Sequence, residues 1–123
     1  MTERSLRNCA ILVVEDEYLL ADDLCGKLIE SEAIVIGPAA TVEEGQALLR
    51  QTEVVNGAVL DVNLRGEPVF PLADELAVRH VPFLFTTGYD AAAIPQRFHD
   101  VPRCEKPLQM SRIVAEIRRL AHH

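Results

Sequence analysis

The sequence predicts an α/β fold in which a five-stranded parallel sheet is doubly wound, with helices on both faces. Three observations carry that expectation. Short apolar runs recur at 9–14, 33–36, 57–60, 82–85 and 101–105, and such runs read as strands buried on both faces. Segments of helical period lie between them. Turn and cap residues mark the junctions. Strands alternating with helices pair in parallel through crossovers, and right-handed crossovers leave few orders, of which 2-1-3-4-5 suits 123 residues.

The first strand, Cys9 to Val14, is rich in branched residues and is closed by Glu15-Asp16-Glu17. Leu20, Leu24 and Leu28 then recur every four residues, with Asp22, Asp23, Lys27 and Glu30 mostly on other faces, which predicts an amphipathic helix over about 17–31. Ala33 to Ile36 is the second strand, stopped by Gly37-Pro38. Thr41-Val42-Glu43-Glu44 has capping-box spacing, with Thr41 accepting from the Glu44 amide, and predicts a helix over about 42–51.

Gly57 to Leu60 is the third strand, which delivers Asp61 to its C-terminal end. A looser stretch from Arg65 leads into a helix over about 71–79, with Leu72, Ala73 and Leu76 facing inward. The fourth strand, Pro82 to Phe85, carries its proline at the first position, where it is tolerated, and Thr86-Thr87-Gly88-Tyr89 follows. Ala91 to Phe98 supports only a short helix, because Pro95 removes a donor. Val101 to Glu105 is the fifth strand, ending before Lys106-Pro107, and Ile113, Ile117 and Leu120 mark a last helix over about 109–121. With no repeat or linker, one domain is expected over 1–123, its core about 8–121.

A formal charge of -7 without clustered Lys or Arg argues against direct nucleic-acid contact. Cys9, Cys25 and Cys104 form no CxxC pair, so neither a disulfide framework nor a zinc site is expected. No apolar stretch approaches the roughly 20 residues of a membrane span, and a soluble cytoplasmic protein is expected. His80 and His99 have no partner at ligand spacing, and the terminal His122-His123 supports no metal site.

In the order 2-1-3-4-5, a flavodoxin-like topology, the ends of strands one, three, four and five present Glu15-Asp16, Asp61, Thr87 and Lys106 around the switch point. Taken singly, each has a plainer role: Asp61 as a turn cap, Glu15 as a helix N-terminal acid, Thr87 as a strand-end hydroxyl, Lys106 as a solvated charge. Together, three carboxylates in one crevice require raised pKa values or a divalent cation. An all-oxygen set suits Mg²⁺, or Mn²⁺ by similarity of ligands, with Asp16 and Asp61 as ligands; zinc would want His or Cys. A carboxylate is also a nucleophile toward phosphorus. Lys106 would then face the equatorial oxygens and Thr87 donate to one of them.

These residues resemble the receiver domain of two-component response regulators over nearly the whole chain, through Val13-Val14-Glu15-Asp16-Glu17, Asp61-Val62-Asn63-Leu64-Arg65-Gly66, Phe85-Thr86-Thr87-Gly88-Tyr89 and Lys106-Pro107. The resemblance implies that Asp61 is the phosphoacceptor, Asp16 a direct metal ligand and Glu15 its helper through water. It also implies that Asn63 offers a backbone carbonyl to the metal, that Thr87 is the switch hydroxyl and that Lys106 pairs with the phosphate. The stretch from Pro82 to Tyr89 is similar to a narrower group, single-domain regulators with a Phe-Ala-Thr-Gly-aromatic signature, in which Thr86 replaces alanine. Arg65 stands where the wider family often has proline, and Arg103 where it often has the aromatic switch residue. Tyr89 is a candidate substitute for the latter.

The function implied by this resemblance is that of a stand-alone regulator in a phosphorelay. Such a regulator takes phosphate from a histidine kinase or phosphotransfer protein and catalyses only its own phosphorylation and dephosphorylation. It acts through a downstream protein rather than through nucleic acid or membrane. As the sequence ends with its last helix, the expected output is a protein contact, a relay or a phosphate sink. Two rivals come from other classes. A small Mg²⁺-dependent haloacid-dehalogenase-like phosphatase would want a second aspartate where Asn63 stands. A receiver-fold binding module acting without phosphorylation shares all the motifs.

Overall fold

Period-2 alternation along the central strands divides the apolar residues between two faces, and a layer of helices covers each. The computed structural model describes residues 5–88 and 94–122. Its main sheet contains β1 (Ala10–Val14), β2 (Ile34–Ala39), β3 (Gly57–Asp61), β4 (Phe83–Thr87) and β5 (Arg103–Glu105). All pair in parallel, in the order β2-β1-β3-β4-β5, which is the predicted flavodoxin-like order.

Leu12 and Val14 of β1, Ala58 and Leu60 of β3, and Phe83 and Phe85 of β4 fall in one core cluster, while Ile11, Val13, Val59 and Leu84 fall in the other. Helices α2 (Val42–Gln51) and α3 (Phe70–Val78) close the first through Leu49, Leu72, Ala73 and Leu76. Helices α1 (Tyr18–Glu30) and α4 (Met110–Ala121) close the second through Leu24, Leu28, Ile113 and Ile117. Every residue of β1, β3 and β4 is buried, as strands covered on both faces require. All four phenylalanines, Phe70, Phe83, Phe85 and Phe98, join on the α3 side with ring centroids 5.4 to 6.0 Å apart, so the strand that ends in Thr87 is rigidly backed. The capping box at α2 forms as expected: the Glu44 amide donates to Thr41 Oγ1 at 3.0 Å, and the Glu44 carboxylate accepts from the Ala40 amide at 3.3 Å.

Three elements depart from expectation. The second strand is not stopped at Gly37-Pro38 but runs to Ala39, with a register shift against β1 between Leu12 and Val14. The physical reason is that β2 is an edge strand, where proline's missing donor is tolerated and an irregularity is easily absorbed. Gly37 sits there at φ 101°, and a Cβ would meet the Val13 carbonyl at 2.9 Å. The extra length matters for the site, because the Ala39 carbonyl accepts from the Glu15 amide at 2.9 Å.

The stretch expected to be loose after Asp61 holds an antiparallel hairpin, Asn63–Leu64 against Glu67–Pro68. Arg65 and Gly66 form its turn with φ 53° and 91°, the positive pair that a tight two-residue hairpin turn needs. Arginine at the first of those positions is not a turn signal, which is why periodicity passes over it. Of the short helix expected over 91–98, residues 91–93 lie outside the described residues; the remainder is a single 3₁₀ turn, Gln96–Phe98, entered from Pro95. Among the described residues, no helix is long and apolar enough to cross a membrane.

Candidate functional site

The parallel order brings four strand C-termini to one edge of the sheet. Side by side, Asp61 registers with Thr86 on β4, and Thr87 with Glu105 on β5. Backbone bonds continue past the strands: the Val62 amide donates to the Thr86 carbonyl at 3.0 Å, and the Lys106 amide to the Thr87 carbonyl at 2.7 Å. Glu15, Asp61 and Thr87 are buried, Asp16 and Lys106 are half-buried and Asn63 is exposed. A cavity of about 420 Å³ opens there, lined by Asp16, Asp61, Asn63, Thr87 and Lys106 among others.

Lys106 is the hub. Its Nζ lies 3.0 Å from Asp61 Oδ2, 3.1 Å from Glu17 Oε2 and 3.3 Å from Glu15 Oε1. Burial alone would lower its pKa, but hydrogen bonds to Asp61 and Glu17 and the charges of Asp61 and Glu15 outweigh that and hold it above the ordinary lysine range. Burial pushes the Glu15 carboxyl up to about 7; the Asp61 charge acts in the same direction, while the Glu17 amide and Lys106 oppose it. That amide donates to Glu15 Oε2 at 3.0 Å, whereas Glu15 Oε1 accepts no hydrogen bond of good geometry among the described residues and is balanced by the Lys106 ammonium.

One carboxylate oxygen from each of Glu15, Asp16 and Asp61 lies within 4.8 Å of the other two. With Glu17, the edge holds four carboxylates against the cations Lys106 and Arg65. That negative excess and the all-oxygen donor set fit a hard divalent cation such as Mg²⁺ or Mn²⁺. Asn63 shapes the Asp61 side: its amide donates to Asp61 Oδ1 at 3.1 Å, and its own Oδ1 accepts from the Gly66 amide at 2.6 Å.

The hydroxyls of Thr86 and Thr87 are buried and have no hydrogen-bond partner among the described residues. An unpaired buried hydroxyl costs about 1–3 kcal/mol, so Thr87, which lines the cavity, is poised for an acceptor that arrives with a ligand.

The structure thus brings together Glu15, Asp16, Asp61, Asn63, Thr87 and Lys106. Tyr89 lies outside the described residues. Arg103 lines a different hollow with Glu105, Pro107 and Arg112 and takes no place at the carboxylate edge. Two participants had no site role in the sequence reading: Glu17, quoted only within its motif and here an ion-pair partner of Lys106, and Arg65, noted only as a departure from the family's proline, whose Nε lies 3.8 Å from Asp16 Oδ2. The signal for the first was the unbroken Glu15-Asp16-Glu17 run; for the second, only the Arg65-Gly66 pair hinted at a turn.

No family model and no curated protein matches the chain. Solved structures do. The solution structure of SdrG from Sphingomonas melonis Fr1 is 35% identical, with a TM-score of 0.81 over 98% of this chain and 100% of that one. SdrG from Pseudomonas melonis Fr1 in its BeF3-activated conformation is 36% identical, with a TM-score of 0.73 over 90% of this chain and 95% of that one. A response regulator receiver protein from Sinorhizobium medicae WSM419, 21% identical, shares the fold with a TM-score of 0.76 over 96% of this chain and 98% of that one. The chain belongs to the response regulator receiver family. It is in general terms a phosphorelay signalling module, and its buried acidic cluster resembles a receiver Mg²⁺ site.

Proposed function

We propose that residues 1–123 form one receiver domain that acts in the cytoplasm, accepts a phosphoryl group from a phosphohistidine onto Asp61 and passes the signal on by protein contact. The observation that carries the reading is the setting of Asp61, a buried carboxylate whose Oδ2 is 3.0 Å from the Lys106 ammonium at the mouth of a cavity. An Asp61 oxygen forms the new P–O bond as the P–N bond of the phosphohistidine breaks. The departing imidazole nitrogen keeps the bonding electrons, and Asp61 becomes an acyl phosphate.

The chain's own groups have separate roles. Lys106, already a counter-ion to Asp61, neutralises charge on the transferred group. Thr87 donates its unpaired hydroxyl to a phosphoryl oxygen, a local event that starts the signal at the end of β4. Asp16 and Asp61 would hold the divalent cation directly, Glu15 through water, and Asn63 through its backbone carbonyl. When bound, that cation supplies charge neutralisation at the phosphoryl oxygens. The BeF3-activated state of SdrG supports this reading, since BeF3⁻ becomes tetrahedral when an oxygen ligand such as a carboxylate completes its coordination, and then has the shape of a phosphoryl group on that oxygen. The phosphodonor is a histidine kinase or phosphotransfer protein. On this reading, the chain turns over no substrate other than its own phosphate.

Incubation with a small-molecule phosphodonor and Mg²⁺, followed by intact mass measurement, tests the reading. One hydroxylamine-labile phosphoryl adduct is expected on the wild type and none on Asp61→Asn. An adduct that survives that substitution would remove Asp61 from its role, and sustained hydrolysis of unrelated phosphate esters would favour a phosphatase.

A further inference from the structure

The fold has no evident need of a cation at Arg65. Buried Leu64 anchors the hairpin from one side, and the Asn63 carboxamide closes its turn by accepting from the Gly66 amide. Between them Arg65 occupies a left-handed conformation, φ 53°, that glycine or asparagine adopts more easily. Its side chain is 80% exposed, so packing does not explain it either. Unfavourable backbone conformations that persist at a site edge invite a functional explanation.

The explanation lies in how the edge divides its charges. Lys106 pairs with Glu15, Glu17 and Asp61. Arg65 pairs with the remaining acid, Asp16, and lines the same cavity as Asp61, Thr87 and Lys106. The hairpin begins two residues after Asp61 and is tied to it through the Asn63 amide, so the guanidinium is tethered beside the carboxylates rather than recruited from afar. Two cations on one carboxylate repel each other at this range.

We propose that Arg65 is the resident counter-ion of Asp16, which a divalent cation must displace, so that the hairpin sets the free Mg²⁺ at which the site loads. This rests on the metal-dependent reading above. Because the guanidinium is well exposed, its hold on Asp16 is weak and sensitive to salt. The device tunes affinity without blocking the site.

Mg²⁺ titration of the full chain at low ionic strength tests this directly, with affinity read calorimetrically and the Arg65 Nε–H followed by ¹⁵N NMR. The Arg65→Gln variant is expected to bind Mg²⁺ about threefold to fivefold more tightly, the scale of an exposed ion pair. Arg65→Lys should stay near wild type, and the Gln effect should shrink in high salt. In the wild type the Arg65 Nε–H resonance should move along the same binding curve. Unchanged or weaker affinity in Arg65→Gln, or a resonance that stays still while Mg²⁺ saturates, would overturn the inference and leave the metal site standing. Absence of saturable Mg²⁺ binding in both proteins would overturn the inference and the metal reading together. The wild-type resonance decides the matter even if the variant folds poorly.

Discussion

The two ends of β4 obey different rules. At its start, Phe83 and Phe85 enter a cluster of four phenylalanines in which each ring touches others. At its finish, Thr86 and Thr87 bury hydroxyls with no partner among the described residues, and Thr87 lines the cavity that also holds Asp16, Asp61 and Lys106. Five residues of one strand thus pass from a region that supplies stability to one that gives some of it up. On the proposed function the difference has a reason: a region selected for stability alone would have paired or removed those groups, whereas a sheet edge that receives a ligand keeps them.

Substitutions can sharpen or break that contrast. The largest effect on stability is expected in the apolar half. Leu72, fully buried on the inner face of α3, should cost about 2–5 kcal/mol when changed to Ala in chemical denaturation, while phosphoryl adduct formation under native conditions stays intact. A loss of adduct formation in the folded variant would show that the two regions are not separable. At the polar end, Lys106→Ala should slow adduct formation by about a hundredfold, the scale of removing one preorganised charge-stabilising group. A rate within about threefold of wild type, measured by time-resolved mass spectrometry, would show that Lys106 is a structural ion pair.

A smaller, pH-dependent effect belongs to Glu15. Its carboxyl, raised from 4.5 to about 7 mainly by burial, binds its proton more tightly folded than unfolded. The metal-free fold therefore keeps the full benefit below pH 4.5 and loses it as the pH rises through about 7. Glu15→Gln, which stays neutral, should match wild-type stability at about pH 4 and exceed it at about pH 8 in metal-free urea unfolding. An equal gap at both values would contradict the burial argument. The smallest shift is expected from Thr87→Val, which removes an unpaired buried hydroxyl at nearly constant shape. Its melting temperature should be unchanged or slightly higher, while adduct formation slows. A destabilised variant would mean that the hydroxyl already has a partner.

The same contrast explains what was legible in the sequence. β1, β3 and β4 announce themselves because burial on both faces forces continuous apolar runs, and α2 because Thr41 and Glu44 write its cap locally. The strand ends followed from topology, which gathers Glu15, Asp16, Asp61, Thr87 and Lys106 at one edge. What escaped depended on context. Gly37-Pro38 reads as a stop unless one knows that its strand is at the edge, and the Arg65 turn lacks the Asn or Gly that marks such geometry at its first position. Glu17 looks like a surface acid until Lys106, distant in sequence, folds back within 3.1 Å of it. Pairings across such separations leave no local trace in composition or period.

The central claim is that Asp61 carries the phosphoryl group. Reductive trapping tests it at single-residue level: borohydride converts an aspartyl phosphate to homoserine, which peptide mass mapping then locates. After treatment with phosphodonor and Mg²⁺, homoserine is expected in place of Asp61. Homoserine at another position, or none while the phosphoryl mass is present, would contradict the account.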